Sequence, residues 1–494
     1  MGRKIPMWQV LIVILFSLLC FAYAYGVLGK VLGDAFACSY GELHIPLVVA
    51  TLFATVVAIA NGYKWSFLEN GILVSINRAM GAILILMTVG ILMGAWIAGG
   101  VVPAMIYYGL MVLKPSFFLI AACILCAICA LATGSSWTTV GTIGVALIGI
   151  GTALGMSPAM TGGAIVSGAY FGDKMSPMSD TTNLAPAMAG ATLFDHIRHM
   201  MWTVTPSLLI ALIVYAILGL GHSGEGADLS MVTMLQENIK ANFTINLAML
   251  IPPLIVILMV AFKLPALPGL FGGIVLGVLC GSIFQGVHLA DWFGYLHYGF
   301  AFADPDSVDP FVVSLLTRGG LEGMMYTISM GFAALCFGGV MDASGMLQTL
   351  TEAMLKLAKG RAGLVIVTVV TTILVNVVAC DQYLSILLPG AMFKESFEDA
   401  KLAPKNLSRI LEDAGTVTSP IIPWTTCSVT MSGFMGVPTV QYAPYAVLNY
   451  VNPLVSIFYG ITGISMEKMT DEQYEKVLAE REQARAEALA AAQA

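Results

Sequence analysis

The stretch SGAYFGDKMSPMSDTTN, residues 167–183, decides how this chain is read. It is polar, it carries glycine and then proline, and it is joined directly to Ala164-Ile165-Val166 on one side and Leu184-Ala185 on the other. Proline removes a backbone donor and breaks a helix. A polar break set between apolar helices is the pattern of an interrupted span buried within a membrane protein. The remainder of the 494 residues agrees, being 58% hydrophobic and 10% charged, whereas soluble domains carry roughly 25% charged residues. Apolar runs such as Trp8–Val27, Ile83–Ala98, Phe118–Ala132, Leu247–Phe262 and Leu364–Val378 approach the roughly 20 residues that cross a bilayer core as a helix. They are continuously apolar rather than alternating, which excludes a barrel. The expected fold is an all-α polytopic membrane protein of about 11–13 transmembrane helices.

The net charge of −7 comes without a basic stripe, so no nucleic-acid partner is expected. Cys123, Cys126 and Cys129 have only Ile, Leu and Ala as close neighbours and read as small helix-packing residues. Arg3 and Lys4 precede an apolar run too long for a cleaved signal, which predicts an uncleaved first span with a cytoplasmic N-terminus. The expected organisation is a first span and loop at 1–43, a transport repeat at 44–221, connecting spans at 222–310, a second repeat at 311–465 and a soluble tail at 466–494.

The repeat rests on three pairs of stretches. Asn77-Arg78 leads to Gly99-Gly100, as Thr317-Arg318 leads to Gly338-Gly339, with the arginines 240 positions apart (318 − 78). At a similar offset, the polar break Thr133–Thr139 pairs with Asn376–Ser385, and Asp173–Asn183 pairs with Glu412–Thr418. Transporters built from two repeats bind their cargo where broken helices meet.

Ionisable groups inside a membrane cost about 2.5–3.5 kcal/mol on insertion scales and mark ion paths or mutual pairs. Five acids stand in such places: Asp173, Asp180, Asp381, Glu412 and Asp413. Hydroxyls accompany them at Ser135, Ser136, Thr138, Ser176, Ser179, Thr181, Thr182 and Thr416. Oxygen-rich sets of this kind suit a hard cation, with Asp180, Thr181 and Asp381 as the expected sodium ligands. Lys174 is expected to neutralise its neighbour Asp173, leaving Asp180 freer. Arg409 is expected to pair with Asp413 at i, i+4, leaving Glu412 free to titrate. Asp195, His196, Arg198 and His199 read as an interfacial polar cluster. No ATP loop, zinc-protease motif or nucleophile elbow occurs, so the chain reads as a gradient-driven transporter rather than an enzyme.

At these residues the sequence resembles the NhaC-type sodium/proton antiporter family of the ion-transporter superfamily. The matching stretches are 132–137, 167–182, 381–384, and 407–424, within about 77–453. The resemblance implies two inverted repeats with broken helices and re-entrant hairpins. It implies exchange of sodium for protons by competition at buried carboxylates in the inner membrane of a bacterium, and a part in pH homeostasis. No cofactor is expected, sodium and protons being the transported substrates. Some relatives resemble exchangers of malate for lactate, and Arg78, Arg318 and Arg409 are the candidate partners for such an anion. The partners expected are these ions and the lipid bilayer, and the sequence is compatible with a homodimer.

Overall fold

The structure, a computed structural model, describes residues 2–33, 38, 40–112, 114–221, 229–262, 264–479 and 481. Among them eight helices are long and apolar enough to cross a bilayer, or nine if Thr233–Asn242 and Leu247–Met259, bent by 97°, form one span. His44–Ala60 and Val101–Val112 are shorter apolar helices. Isolated bridges, Phe300 with Arg318 and Leu402 with Lys468, are the β pairings among the described residues. Long rows of leucine, isoleucine and valine lie exposed, such as Leu11, Leu15, Leu209, Ile213 and Ile217. That much contiguous apolar surface suits lipid and not water.

In chain order, α1 is Met7–Ala24, α2 His44–Ala60 and α3 Trp65–Ala98. Next come α4 (Pro115–Thr133), α5 (Ser136–Ala153), α6 (Pro158–Met175), α7 (Asp180–Ala189) and α8 (Leu193–Leu220). In the second half α9 is Met325–Ala343, α10 Gly360–Ala379, α11 Gln382–Asp399 and α12 Pro404–Leu411. The last two are α13 (Thr426–Met435) and α14 (Val447–Thr462).

Two of these pairs are hairpins that turn inside the protein. Helix α4 stops at Gly134, which takes φ +69°, and Ser135 then caps α5 by accepting the Thr138 N–H at 3.1 Å. A left-handed residue ends a helix cheaply when it is glycine. Chain reversal brings Gly151 of α5 back beside Phe118 of α4. Helix α10 ends the same way at Cys380 (φ +59°), and Asp381 caps α11 by accepting the Leu384 N–H at 2.9 Å. The two turns are 246 positions apart (380 − 134). The outer end of the first hairpin meets the C-terminal end of α8, where Gly219 packs on the Ser116 backbone. The outer end of the second lies with the other end of α8, where Lys394 reaches Gly190. The hairpins therefore enter from opposite ends of α8.

Each hairpin tip meets a broken helix. Between α6 and α7 the break is Ser176–Ser179, and between α12 and α13 it runs through a π turn at Glu412–Thr416 and Ser419-Pro420. Ser176-Pro177 and Ser419-Pro420 are 243 positions apart (419 − 176). Helices α7 and α13 both run ten residues and end at a left-handed glycine, Gly190 and Gly436. The first sequence pairing needs correction. Gly99-Gly100 ends α3, but Gly338-Gly339 lies inside α9, packed on Ala379 and on Gly71 and Ile72. Gly345 (φ +71°), after α9, turns the chain as Gly100 (φ +75°) does after α3. A glycine that ends a helix and one that admits a neighbour look alike in sequence. The arginine pairing fails with it, since Arg78 is within α3 and Arg318 precedes α9 in a loop.

The three cysteines of α4 are buried, and Gly168 and Gly172 of α6 lie against the α4 backbone at Cys123 and Ala127. Small residues four apart allow this approach. Of the expected tail, residues 471–479 are helical and Arg481 bonds Glu395 (2.6 Å) and Asp399 (2.8 Å). Residues 466–470 lead into that helix, with Lys468 bridged to Leu402, and 480 and 482–494 lie outside the described residues.

Candidate functional site

The hairpin tips and the α6–α7 break enclose a cavity of about 730 Å³. Thr133, Ser135 and Trp137 line it from the first hairpin, Gln382 and Tyr383 from the second, and Asp173, Ser179, Asp180 and Thr181 from the break. Arg78 and Ala82 of α3 and the segment around Pro265 close the remaining side.

Asp173, half-buried in the last turn of α6, faces the tip of the first hairpin. Its Oδ2 accepts the Ser136 backbone N–H at 3.1 Å and the Ser136 hydroxyl at 2.6 Å. Those are free donors at the start of α5, and the positive end of that helix favours the carboxylate. Asp180 is the first residue of α7 and is exposed to the cavity. The hydroxyls of Ser179 and Thr181 stand 3.2 Å apart beside it. Thr182 donates to the Lys174 carbonyl at 3.0 Å, and Ser176 accepts the Met178 N–H at 3.3 Å, so both hold the break in shape.

Lys174 does not neutralise Asp173. It is fully buried and forms an ion pair with Asp413. Successive helical side chains point about 100° apart, so Asp173 faces the cavity while Lys174 faces the interior. Asp413 Oδ1 also accepts from Thr203 Oγ1 (2.9 Å) and Asn452 Nδ2 (2.8 Å). The expected Arg409–Asp413 pair is present at 3.8 Å. Arg409 itself donates to His199 Nε2 (3.0 Å) and Ser465 Oγ (2.7 Å), and His196 Nδ1 pairs with Ser408 Oγ at 2.8 Å. These histidines thus join an internal polar cluster and not an interfacial one.

Glu412 is fully buried, and neither carboxyl oxygen has a hydrogen-bond partner among the described residues. Lys174 and the hydroxyls of Thr416 and Thr181 are among its polar neighbours, without making bonds of ordinary geometry to it. Asp381 is buried in its capping role beside, not on, the cavity wall. Thr138 Oγ1 is buried without a hydrogen-bond partner among the described residues. Among the described residues no three His, Cys, Asp or Glu side chains group so as to hold a metal ion.

Two of the five acids thus reach the cavity, two sit behind its walls, and one is locked in an ion cluster. Sequence reasoning missed Gln382 and Tyr383 on the wall and Thr203 and Asn452 around Asp413. Asn452 was findable as an amide inside the apolar run of α14. Asn376, at the inner end of α10, donates to the Gly415 carbonyl at 2.7 Å, a group that the π turn frees.

The model of the Na+/H+ antiporter family matches residues 168–464. The Na(+)/H(+) antiporter NhaC of Alkalihalophilus pseudofirmus is 40% identical over 428 residues, covering 86% of this chain and 92% of that protein. The malate-2H(+)/Na(+)-lactate antiporter of Bacillus subtilis is 37% identical over 85% of this chain and 89% of its own length. The arginine/ornithine antiporter ArcD of Halobacterium salinarum is 35% identical over 87% of this chain and 89% of its own.

Proposed function

The chain belongs to the Na+/H+ antiporter family, and on that premise we propose that it exchanges sodium for protons at the cavity between its hairpin tips. The observation that carries this reading is the meeting of Asp173 and Asp180 on one water-reachable wall, among the hydroxyls of Ser135, Ser179 and Thr181. Two carboxylates on one wall repel each other, and a bound proton or sodium ion relieves that repulsion. Proton and sodium compete for the same oxygens, and only a loaded site changes the side it faces. Asp180 is the main shared ligand, with Asp173 beside it and Thr181 as a neutral donor. Asp381 and Glu412, behind the wall, are the reserve acids. Asp413 takes its counter-charge from Lys174 and Arg409, so it holds the broken helices together rather than carrying the ion. The protein acts as a transporter and not an enzyme, in the bacterial cytoplasmic membrane, with a homodimer as the assembly to look for.

Liposomes with an acid interior and an entrapped pH dye test this directly. Sodium added outside is expected to collapse the gradient, and Asp180→Asn to abolish the response while still inserting. Sodium-driven collapse of normal rate in that variant would remove Asp180 from the site. A second reading has one observation in its favour. Arg78 lines the cavity and can hold a carboxylate, and one relative is named for malate and lactate exchange. Of the three arginines considered from sequence, Arg409 is buried in the ion cluster and Arg318 does not line the cavity. A gradient that collapses only when malate or lactate accompanies sodium would favour that reading.

A further inference from the structure

A second cavity of about 520 Å³ lies elsewhere in the molecule, walled by Glu42, Tyr326, Pro423, Ser432 and Thr439 among others. We propose that it is the opposite-face vestibule of the same pathway, and that an apolar waist centred on Trp137 is the gate between the two. The identity of what passes rests on the exchange reading above, and the route rests on geometry alone.

The second cavity lies at the start of α9, and the first is displaced toward its other end. Tyr326 and Thr327, on the second cavity, are in its first turn. Asp342, in its last turn, pairs at 3.2 Å with Arg78, which lines the first cavity. Nineteen residues separate the ends of that helix, or about 28 Å, close to the thickness of a bilayer core. Helix α1 agrees. Its start is tied to the residues after α9 by Thr349, which donates to the Ile5 carbonyl at 3.2 Å. Tyr25, just past its end, lines the second cavity. Each cavity holds an acid on its wall, the exposed Asp180 in one and the half-exposed Glu42 in the other.

Between them is a void of about 20 Å³. It shares Ala82 and Trp137 with the first cavity and Thr327 and Val429 with the second. Such a void has room for about one water; Ile83, Leu86 and Leu335 line it with Thr327, Thr426 and Thr430, and Thr430 turns its hydroxyl to the Thr426 carbonyl at 2.7 Å, so the surface left to the void is mainly apolar. An apolar constriction of this kind stops ions by staying dry. The walls also match across the repeat. The first cavity lies on the break that leads into α7, the second on Pro423 before α13 and on α13 itself. Helices α3 and α9 form one side of the whole line, and the first hairpin tip with α13 forms the other. Movement of one side against the other would widen one vestibule as it narrows the second.

The test is Ala82→Cys and Ser432→Cys in the full chain, in vesicles of known orientation. A charged thiol reagent that cannot cross the bilayer is applied from each face, and the modified sites are read by mass spectrometry against the native cysteines. Ala82→Cys is expected to react from one face only and Ser432→Cys from the other only. Reaction of both from the same face, or of Ser432→Cys from neither, overturns the proposal. Adding Leu335→Ser, or Leu86→Ser if that variant does not insert, should hydrate the waist. Ala82→Cys should then react from both faces, and an imposed pH gradient should decay faster without sodium. One-sided reaction with unchanged decay in both waist variants would reject the gate. Opposite-face labelling without sodium-driven flux would keep the route and reject the cargo. Sodium-driven flux with same-face labelling would do the reverse.

Discussion

Asp173 and Lys174 follow one another on α6, yet one caps α5 at the cavity and the other is sealed against Asp413. Their replacements should separate function from folding. Lys174→Met leaves Asp413 buried without its nearest cation, which should cost about 3–5 kcal/mol and lower the unfolding temperature in detergent. Asp173→Asn keeps an acceptor for Ser136 at a half-buried position. It should unfold near the wild-type temperature but lose exchange in liposomes. Equal loss of stability in both would mean that Asp173 is structural. The sequence showed which residues carry chemistry, because acids within apolar runs are expensive and few. It did not show which way each one points. That depends on helix rotation, which is fixed by partners distant in the chain: Ser136 lies 37 positions from Asp173, and Asp413 lies 239 from Lys174.

Helix α6 approaches α4 so closely that any side chain at Gly168 or Gly172 would collide with backbone. Gly168→Val should therefore separate the first hairpin from α6 and destabilise the protein by about 3 kcal/mol or more. Thermal unfolding in detergent measures this, and a stable variant would mean that the helices part easily. Gly134→Ala should be milder. It adds the left-handed penalty of about 1–2 kcal/mol and pushes on Met178, which touches Gly134 across the tip. Much of this level was legible. Glycine and proline announced the breaks, and the apolar runs announced the helices. The second hairpin was harder to see, since Cys380 turns the chain at φ +59° where glycine is the usual signal. Periodicity also cannot tell a straight interrupted span from one that doubles back.

Across the whole molecule, the two hairpins enter from opposite ends of α8, which predicts that their outer loops face different compartments. An epitope inserted after Gly155 and another after Ala358 should be reached by antibody from opposite sides of sealed vesicles. Recognition of both from one side would contradict the inverted arrangement. The resemblance implied inverted repeats, but the sequence could not fix orientation, because lysines and arginines are too few to vote on each loop.

Helix α3 runs 34 residues without a break, about 51 Å of helix, against a hydrocarbon core of about 30 Å. It must lean or project, and leucines such as Leu73 and Leu84 face outward along it. The same helix presents Arg78 and Ala82 to the cavity. Its lean is therefore shared between the surrounding lipid and the mouth of the pathway, and mismatch with the bilayer acts on both. Short-chain and long-chain lipids should give different exchange rates at one gradient, with equal rates meaning that protein neighbours alone hold α3. The thickness of the host membrane becomes a setting of the exchanger, adjusted by the cell each time it remodels its acyl chains.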